Sequence, residues 1–226
     1  MSKGKNTPPD KNSVYVNSRT YGGHWRAKRG SKTPASLNSN LQKSTADLEV
    51  ANKAARLIKS YLDPFRYNFM GGLIWQKLVK EFKRQAKEEK AFHTENFNRM
   101  DTWDLYPMDR FRTYINCHCQ ADSLQLTVTL NLNRHPDFKR KFVDSYRISM
   151  LAIFPDFEKM EAWDEGCISD IFFLKDAVAP VSFHFPVPEG AKHYLLVLKI
   201  EGAEKGKLGD NYTIKSMQLI GGGGIV

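Results

Sequence analysis

Residues 124–132 read Leu-Gln-Leu-Thr-Val-Thr-Leu-Asn-Leu, with apolar and polar positions alternating without a break. Successive side chains of a strand leave it on opposite faces, so this pattern predicts a strand with one buried and one wet face. It reads as the seed of an antiparallel sheet. Six further strand-like runs surround it, at 111–119, 145–154, 167–174, 181–185, 193–201 and 211–220. Turn-forming stretches such as Gln120-Ala-Asp-Ser, Asp164-Glu-Gly, Pro188-Glu-Gly and Leu208-Gly-Asp-Asn separate them.

Upstream the period changes. Val50, Ala54, Leu57, Ile58 and Tyr61 recur at helical spacing behind Ser44, an N-cap candidate with Asp47 three residues on. Asp63-Pro64 predicts the end of that helix, because proline disfavours helical geometry in the residue before it. A second helix opens at Gly71-Gly72 and runs to about residue 90. Its apolar stripe is Ile74, Trp75, Leu78, Val79, Phe82 and Ala86. By pattern each helix spans about 16–18 residues, and together they suit an antiparallel hairpin that needs a surface to cover it. Phe65, Tyr67, Phe69 and Met70 make the connector apolar enough to pack on the core. Residues 91–107 read as an irregular linker, with Trp103, Leu105 and Tyr106 lying against the sheet.

The fold class expected is therefore α+β: an N-terminal helical hairpin followed by an antiparallel β-sandwich-like domain of about seven strands, a barrel being the alternative. The expected division is a flexible basic arm (1–40), the helical hairpin (41–95), the β-domain (96–220) and a flexible tail (221–226). A hydrophobic content of 41% with 12% aromatics supports a real core.

Charge changes the picture more than composition does. Residues 1–35 hold eight Lys/Arg against Asp10 alone, and residues 36–99 hold twelve against seven acids. Residues 100–226 hold fourteen against seventeen, so the +9 of the whole chain sits at its front. Such asymmetry points to an anionic partner for the front, or to an arm that docks on an acidic surface. Within the arm, Arg19, His24, Trp25, Arg26, Lys28, Arg29 and Lys32 mix cations with an aromatic, the combination single-strand binders use to neutralise phosphates and stack on bases. Docking of the same aromatics on protein is the competing reading. Lys77, Lys80, Arg84 and Lys87 form a basic stripe on the second helix, a second candidate contact for anions or a membrane surface and equally a solvated face.

Catalytic signatures are missing from the sequence: there is no Gly-x-Ser-x-Gly elbow, P-loop, Gly-x-Gly-x-x-Gly or His-Glu-x-x-His. Cys117-His118-Cys119 does not suit zinc, because on a strand His118 points away from the two cysteines. Three cysteines in all fit reduced thiols better than a disulfide framework. No cofactor or metal is expected. Asp156, Glu158, Glu161, Asp164, Glu165 and Asp170 beside Trp163 leave a carbohydrate-active enzyme or carbohydrate-binding domain as a minor alternative. No apolar run reaches bilayer length and no secretory leader is visible, so a cytoplasmic address is expected. The reading reached is a non-enzymatic structural or interaction protein, partnered by protein or by its own copies, with nucleic-acid binding by the arm as the runner-up.

Overall fold

The computed structural model describes residues 13–19, 22–27, 39–66, 69, 73–88, 91–103 and 105–225. Contacts divide the chain into two units, Met1–Lys43 and Ser44–Val226. Among the described residues the architecture is mixed α+β, with two helices and antiparallel strands gathered in three sheets.

In the first unit, β1 (Ser13–Ser18) and β2 (Gly22–Ala27) pair antiparallel, setting Tyr15 opposite Trp25 and Val16 opposite His24. Gly22, at φ 67, supplies the left-handed backbone that the tight return requires. The composition of the arm gave no sign of this hairpin. Its apolar run in β1 is only Val14 to Val16 long, too short to register against the surrounding polar residues.

The helix α1 runs Ser39–Phe65, starting before the expected cap at Ser44 and passing through Pro64. Proline removes one donor, but Arg66 N–H still donates to Leu62 O at 2.9 Å, so the last turn closes around it. Ala51, Ala54, Ala55, Ile58 and Leu62 form its buried face. α2 covers Ile74–Lys87, 14 residues against the 27 of α1, so the two helices are unequal rather than matched. Ile74, Leu78 and Phe82 are buried as the stripe predicted, whereas Trp75, Val79 and Ala86 are half-buried. The stripe also includes a polar member, the fully buried Gln85. Its amide accepts from His93 N–H at 3.0 Å and donates to His93 O at 3.2 Å, satisfying both ends and clamping the chain that leaves the helix. Of the connector, Phe69 is buried edge-to-face against Trp103, with ring centres 5.6 Å apart, as its apolar character implied. Tyr67, Met70 and the Gly71-Gly72 opening lie outside the described residues.

Nine strands follow: β3 (Met100–Asp101), β4 (Ile115–Ala121), β5 (Gln125–Leu132), β6 (Ser145–Asp156), β7 (Glu161–Phe173), β8 (Val181–Pro186), β9 (His193–Glu204), β10 (Lys207–Leu208) and β11 (Lys215–Gly224). Short helical turns occupy Met108–Phe111, ahead of β4 and overlapping the expected strand only at Phe111, and Tyr212–Ile214, where strand was expected. The strands form a six-stranded sheet in the order β3-β11-β9-β6-β7, with β10 on β9, and a three-stranded sheet, β4-β5-β8. Seven expected strands are thus nine, divided between two sheets.

The clean alternation of 124–132 belongs to the centre of the smaller sheet. Leu126, Val128 and Leu130 are fully buried, while Gln125 and Asn131 are exposed. The larger sheet is organised by β6 and β9, whose residues are buried on both faces: Ile148 to Phe154 and Leu195 to Leu198 are at most 3% exposed. A strand covered on both sides has no wet face to impose alternation, so its sequence reads as a continuous apolar run. Residues of α1, α2 and both sheets share one core cluster. Tyr61 Oη of α1 donates to Ala162 O of β7 at 2.5 Å, tying that helix to the larger sheet.

Two boundaries need correction. β7 starts at Glu161 rather than 167, because its acidic positions lie on an exposed edge strand and imitate a loop. The glycines at 221–224 are not a loose tail: they pair with Leu196 back to His193 across β9. Leu105, expected against the sheet, is 63% exposed, whereas Trp103 and Tyr106 are buried.

Candidate interaction site

On the hairpin, alternation places Tyr15 and Trp25 on one face and Val14, Val16, His24 and Arg26 on the other. The Tyr15 and Trp25 rings meet edge-to-face at 5.3 Å, the geometry that the ring quadrupoles favour. Arg19, His24 and Arg26 are exposed, and His24 Nδ1 lies 3.2 Å from Gly22 O within the turn. Sequence reasoning did not include Tyr15, which β pairing brings to Trp25 from ten residues away. Lys28, Arg29 and Lys32 lie outside the described residues.

The basic stripe of α2 does not act as one surface. Lys77 is half-buried and donates to Asp101 O at 2.7 Å, fastening the helix to β3. Arg84 is chelated by neighbours on its own helix, at 2.5 Å to Glu81 and 2.7 Å to Glu88. Burial alone would raise the Glu81 carboxyl, but the bonds from Arg84 and Gln85 outweigh it and hold Glu81 below its usual range. Lys80 and Lys87 remain on the exposed side.

The acidic residues follow the same logic. Asp156 accepts backbone N–H bonds from Glu158 and Lys159 at 3.0 Å each, which holds its carboxyl below the ordinary value and shapes the β6–β7 turn. Glu161, Asp164, Glu165 and Asp170 are exposed along β7, with Trp163 at 40%. A recess of about 240 Å³ touches Trp163, Asp164 and Glu165, but consecutive strand residues leave on opposite sides, so these two carboxylates do not face one another across it.

A larger cavity, about 430 Å³, lies among α1, α2, the β6–β7 turn and the start of β9. Val50, Ala86, Phe92, Phe157 and Met160 form its apolar walls, with Asp156, Glu158, Lys192 and His193 as polar lining. Lys192 pairs with Glu158 at 2.8 Å. His193 rests on the Phe157 ring at 6.0 Å, and its Nδ1 is buried with no hydrogen-bond partner among the described residues. Burial lowers its pKa from 6.5, with His93 and Lys192 adding to the effect and Glu95 and Asp156 opposing it. Above 6.5 both folded and unfolded chains carry a neutral His193; as pH falls below 6.5 the unfolded chain takes the proton first, and stability is lost until the folded value is passed. His193→Gln is therefore expected to flatten the fall of melting temperature on acidification from neutral pH, measured by thermal unfolding. An unchanged slope would show that His193 does not carry it.

The charges that sequence reasoning overlooked lie inside β9 and β11. Lys199 Nζ sits 4.5 Å above the Phe65 ring and 5.3 Å from Phe69, while Lys215 Nζ is 4.9 Å from Phe69 and 5.8 Å from Trp103. Burial lowers the Lys199 pKa, and Glu201, 3.7 Å away, works against that loss of charge. Arg147 reaches the same Glu201 oxygen at 3.6 Å. These contacts hold the end of α1 and Phe69 on the sheet through cation–ring attraction. The signal for Lys199 in the sequence was a single lysine within the apolar run of β9.

Among the described residues no group of three or more His, Cys, Asp or Glu is placed to hold a metal ion, and no helix is long and apolar enough to cross a membrane. The chain matches no family model, and neither the curated proteins nor the solved structures include one significantly similar to it.

Proposed function

We propose that this chain is a non-catalytic interaction protein whose basic N-terminal hairpin is the contact element and whose two larger sheets, as the layers of a sandwich, form the platform. The observation that carries the reading is the Tyr15–Trp25 pair on a two-stranded ribbon lined by exposed Arg19, His24 and Arg26. An isolated two-stranded hairpin is at best marginally stable in water, so this one gains from a surface to rest on. Aromatic and arginine side chains are the types enriched at protein interfaces. Among the described residues the ribbon is a sheet of two strands, and strand addition is one mode by which such a ribbon joins a partner.

The partner surface should be acidic, and the first partner to test is a second copy. β7 carries exposed Glu161, Asp164, Glu165 and Asp170, charges that disfavour pairing of β7 with itself and favour a basic strand. Lys80 and Lys87 are exposed stripe members on α2. Removing residues 1–38 leaves α1 whole and provides the test. Light scattering after size exclusion is expected to give a mass above the monomer for the full chain and a monomer for the truncated one, with unchanged circular dichroism. Monomers in both forms would sink the self-partner reading. Binding of a single-stranded oligonucleotide that falls steeply with salt and disappears on truncation would move the arm to nucleic acid instead.

A further inference from the structure

The small sheet holds a pair of sulfur atoms that the interaction reading does not use. Cys117 and Cys119 sit two residues apart on β4, share the face turned toward the core, and bring their Sγ atoms to 3.5 Å. Among the described residues β4 is an edge strand, paired only with β5, where Cys117 lies opposite Leu130 and Cys119 opposite Val128. His118 is exposed on the other face. Both cysteines are half-buried, open enough for a small oxidant yet held against the core.

We propose that Cys117 and Cys119 form a reversible dithiol modification site, oxidised by hydroperoxides to an intrastrand disulfide. Positions two apart on a strand are separated by about 6.6 Å between Cα atoms. That lies within the roughly 4.4–6.8 Å that a disulfide spans, near its upper end, and an edge strand has only one neighbour to resist the adjustment. The two sulfurs have divided roles. Either thiol can donate across the 3.5 Å contact, but the Tyr194 hydroxyl bonds to Cys119, and with Cys117 as donor both bonds hold the Cys119 pKa below the ordinary thiol value against the opposing effect of burial. The thiol–thiol bond and burial push Cys117 up. Cys119 is thus the nucleophile and Cys117 the resolving thiol, because the thiolate is the reactive form.

The Cys119 thiolate attacks one peroxide oxygen, the O–O bond breaks, and hydroxide leaves and takes a proton to become water. Cys119 is then a sulfenic acid. Cys117 loses its proton and attacks the Cys119 sulfur; the S–O bond breaks and the second oxygen departs as water. Two thiols lose two electrons and two protons, and one hydrogen peroxide becomes two waters. A ring this small gains little from loop closure, and near-limit geometry makes the bond easy to reduce, so a dithiol reductant restores the pair.

The test treats the full chain with hydrogen peroxide and maps its peptides by mass spectrometry. Cys167, half-buried on β7, is the internal control. The 117–119 peptide is expected to become lighter by two hydrogens, reversibly with dithiothreitol, while Cys167 stays reduced. Cys117→Ser should stop at a Cys119 sulfenic acid that a cyclic 1,3-dione traps. Cys119→Ser should slow oxidation at position 117 on the order of tenfold, since an ordinary thiol is only a few per cent ionised at neutral pH. Alkylation of Cys119 in the native chain should reach half its maximal rate below the ordinary thiol pKa of about 8.5. Oxidation of Cys167 at an equal or faster rate, or loss of the two thiols without a bridge between them, overturns the proposal. The native peptide map decides this even if neither serine variant folds.

Discussion

Phe82→Ala is expected to lower the free energy of unfolding by about 3–5 kcal/mol, the largest effect of any single truncation considered for this protein. The ring is fully buried and stands at the centre of an aromatic group, with Phe92, Phe97 and Phe157 at centre distances of 5.2, 5.0 and 5.4 Å. Those neighbours come from two segments, the chain leaving α2 and the β6–β7 turn, so the cluster joins helix to sheet. Each tilted or edge-to-face pair is worth roughly 0.5–1.5 kcal/mol beyond the area it buries, and alanine forfeits all three while leaving a cavity. Against a total of about 5–15 kcal/mol, such a loss is a large part of what keeps the chain folded. Equilibrium urea denaturation measures it as a fall in midpoint at nearly constant slope. Because Phe92 and Phe157 also line the 430 Å³ cavity, the variant should change that site as well. A loss under about 1 kcal/mol would mean that the ring is not seated among its neighbours as described.

The second large effect falls on the glycine run. A Cβ added at Gly222 would collide with the backbone of Thr94, meeting its carbonyl carbon at 2.8 Å and its carbonyl oxygen closer still. Neither is the far end of a flexible side chain, so Gly222→Ala must displace the 94 segment from β11 and break the Thr94 Oγ1 bond to Gly223 O, now 3.2 Å. The expected cost is about 1–3 kcal/mol, the range for inserting volume into packed structure. At Gly221 an added Cβ meets nothing within 4 Å, and alanine there is expected to be neutral or slightly stabilising through the unfolded chain. For a chain of this size each kcal/mol moves the melting temperature by about 2–4 °C, so differential scanning calorimetry of the two variants separates them. Equal shifts would refute the close approach.

These glycines show where reading the sequence runs out. Four in a row carry no periodicity and lack the side chains by which a strand is recognised, yet they pair with the strand that starts at His193. The requirement for glycine comes from Thr94, a residue 128 positions away in the numbering, and local pattern cannot express it. The acidic stretch of β7 was misread for a related reason: an edge strand with exposed carboxylates has the composition of a turn. Conversely, Leu124 to Leu132 was legible because one face meets the core and the other meets water, a division written directly into alternate residues.

The candidate site divides along the same line. Charge is additive along the chain, so the basic front was visible without a structure. Which cations are positioned to meet a partner was visible only in part: the Arg84–Glu88 pair follows from i,i+4 spacing on a helix, whereas the bond from Lys77 to Asp101 O depends on the seat of α2. Pairing Tyr15 with Trp25 needed the hairpin register, and bringing Lys199 and Lys215 beneath Phe69 needed helix and sheet together.

What the sequence determined by itself was the α+β class, the placing of both helices ahead of the two larger sheets, the apolar stripes and the imbalance of charge. All of these follow from local periodicity or from summation. The tertiary structure decided that β6 and β9, not the best-patterned strand, organise the larger sheet, and that the strands divide unequally into a six-stranded and a three-stranded sheet. It decided too that Cys117 and Cys119 meet at 3.5 Å beside Tyr194. Burial on both faces erases the alternation that sequence reading relies on, and contacts between distant segments leave no mark on either segment alone.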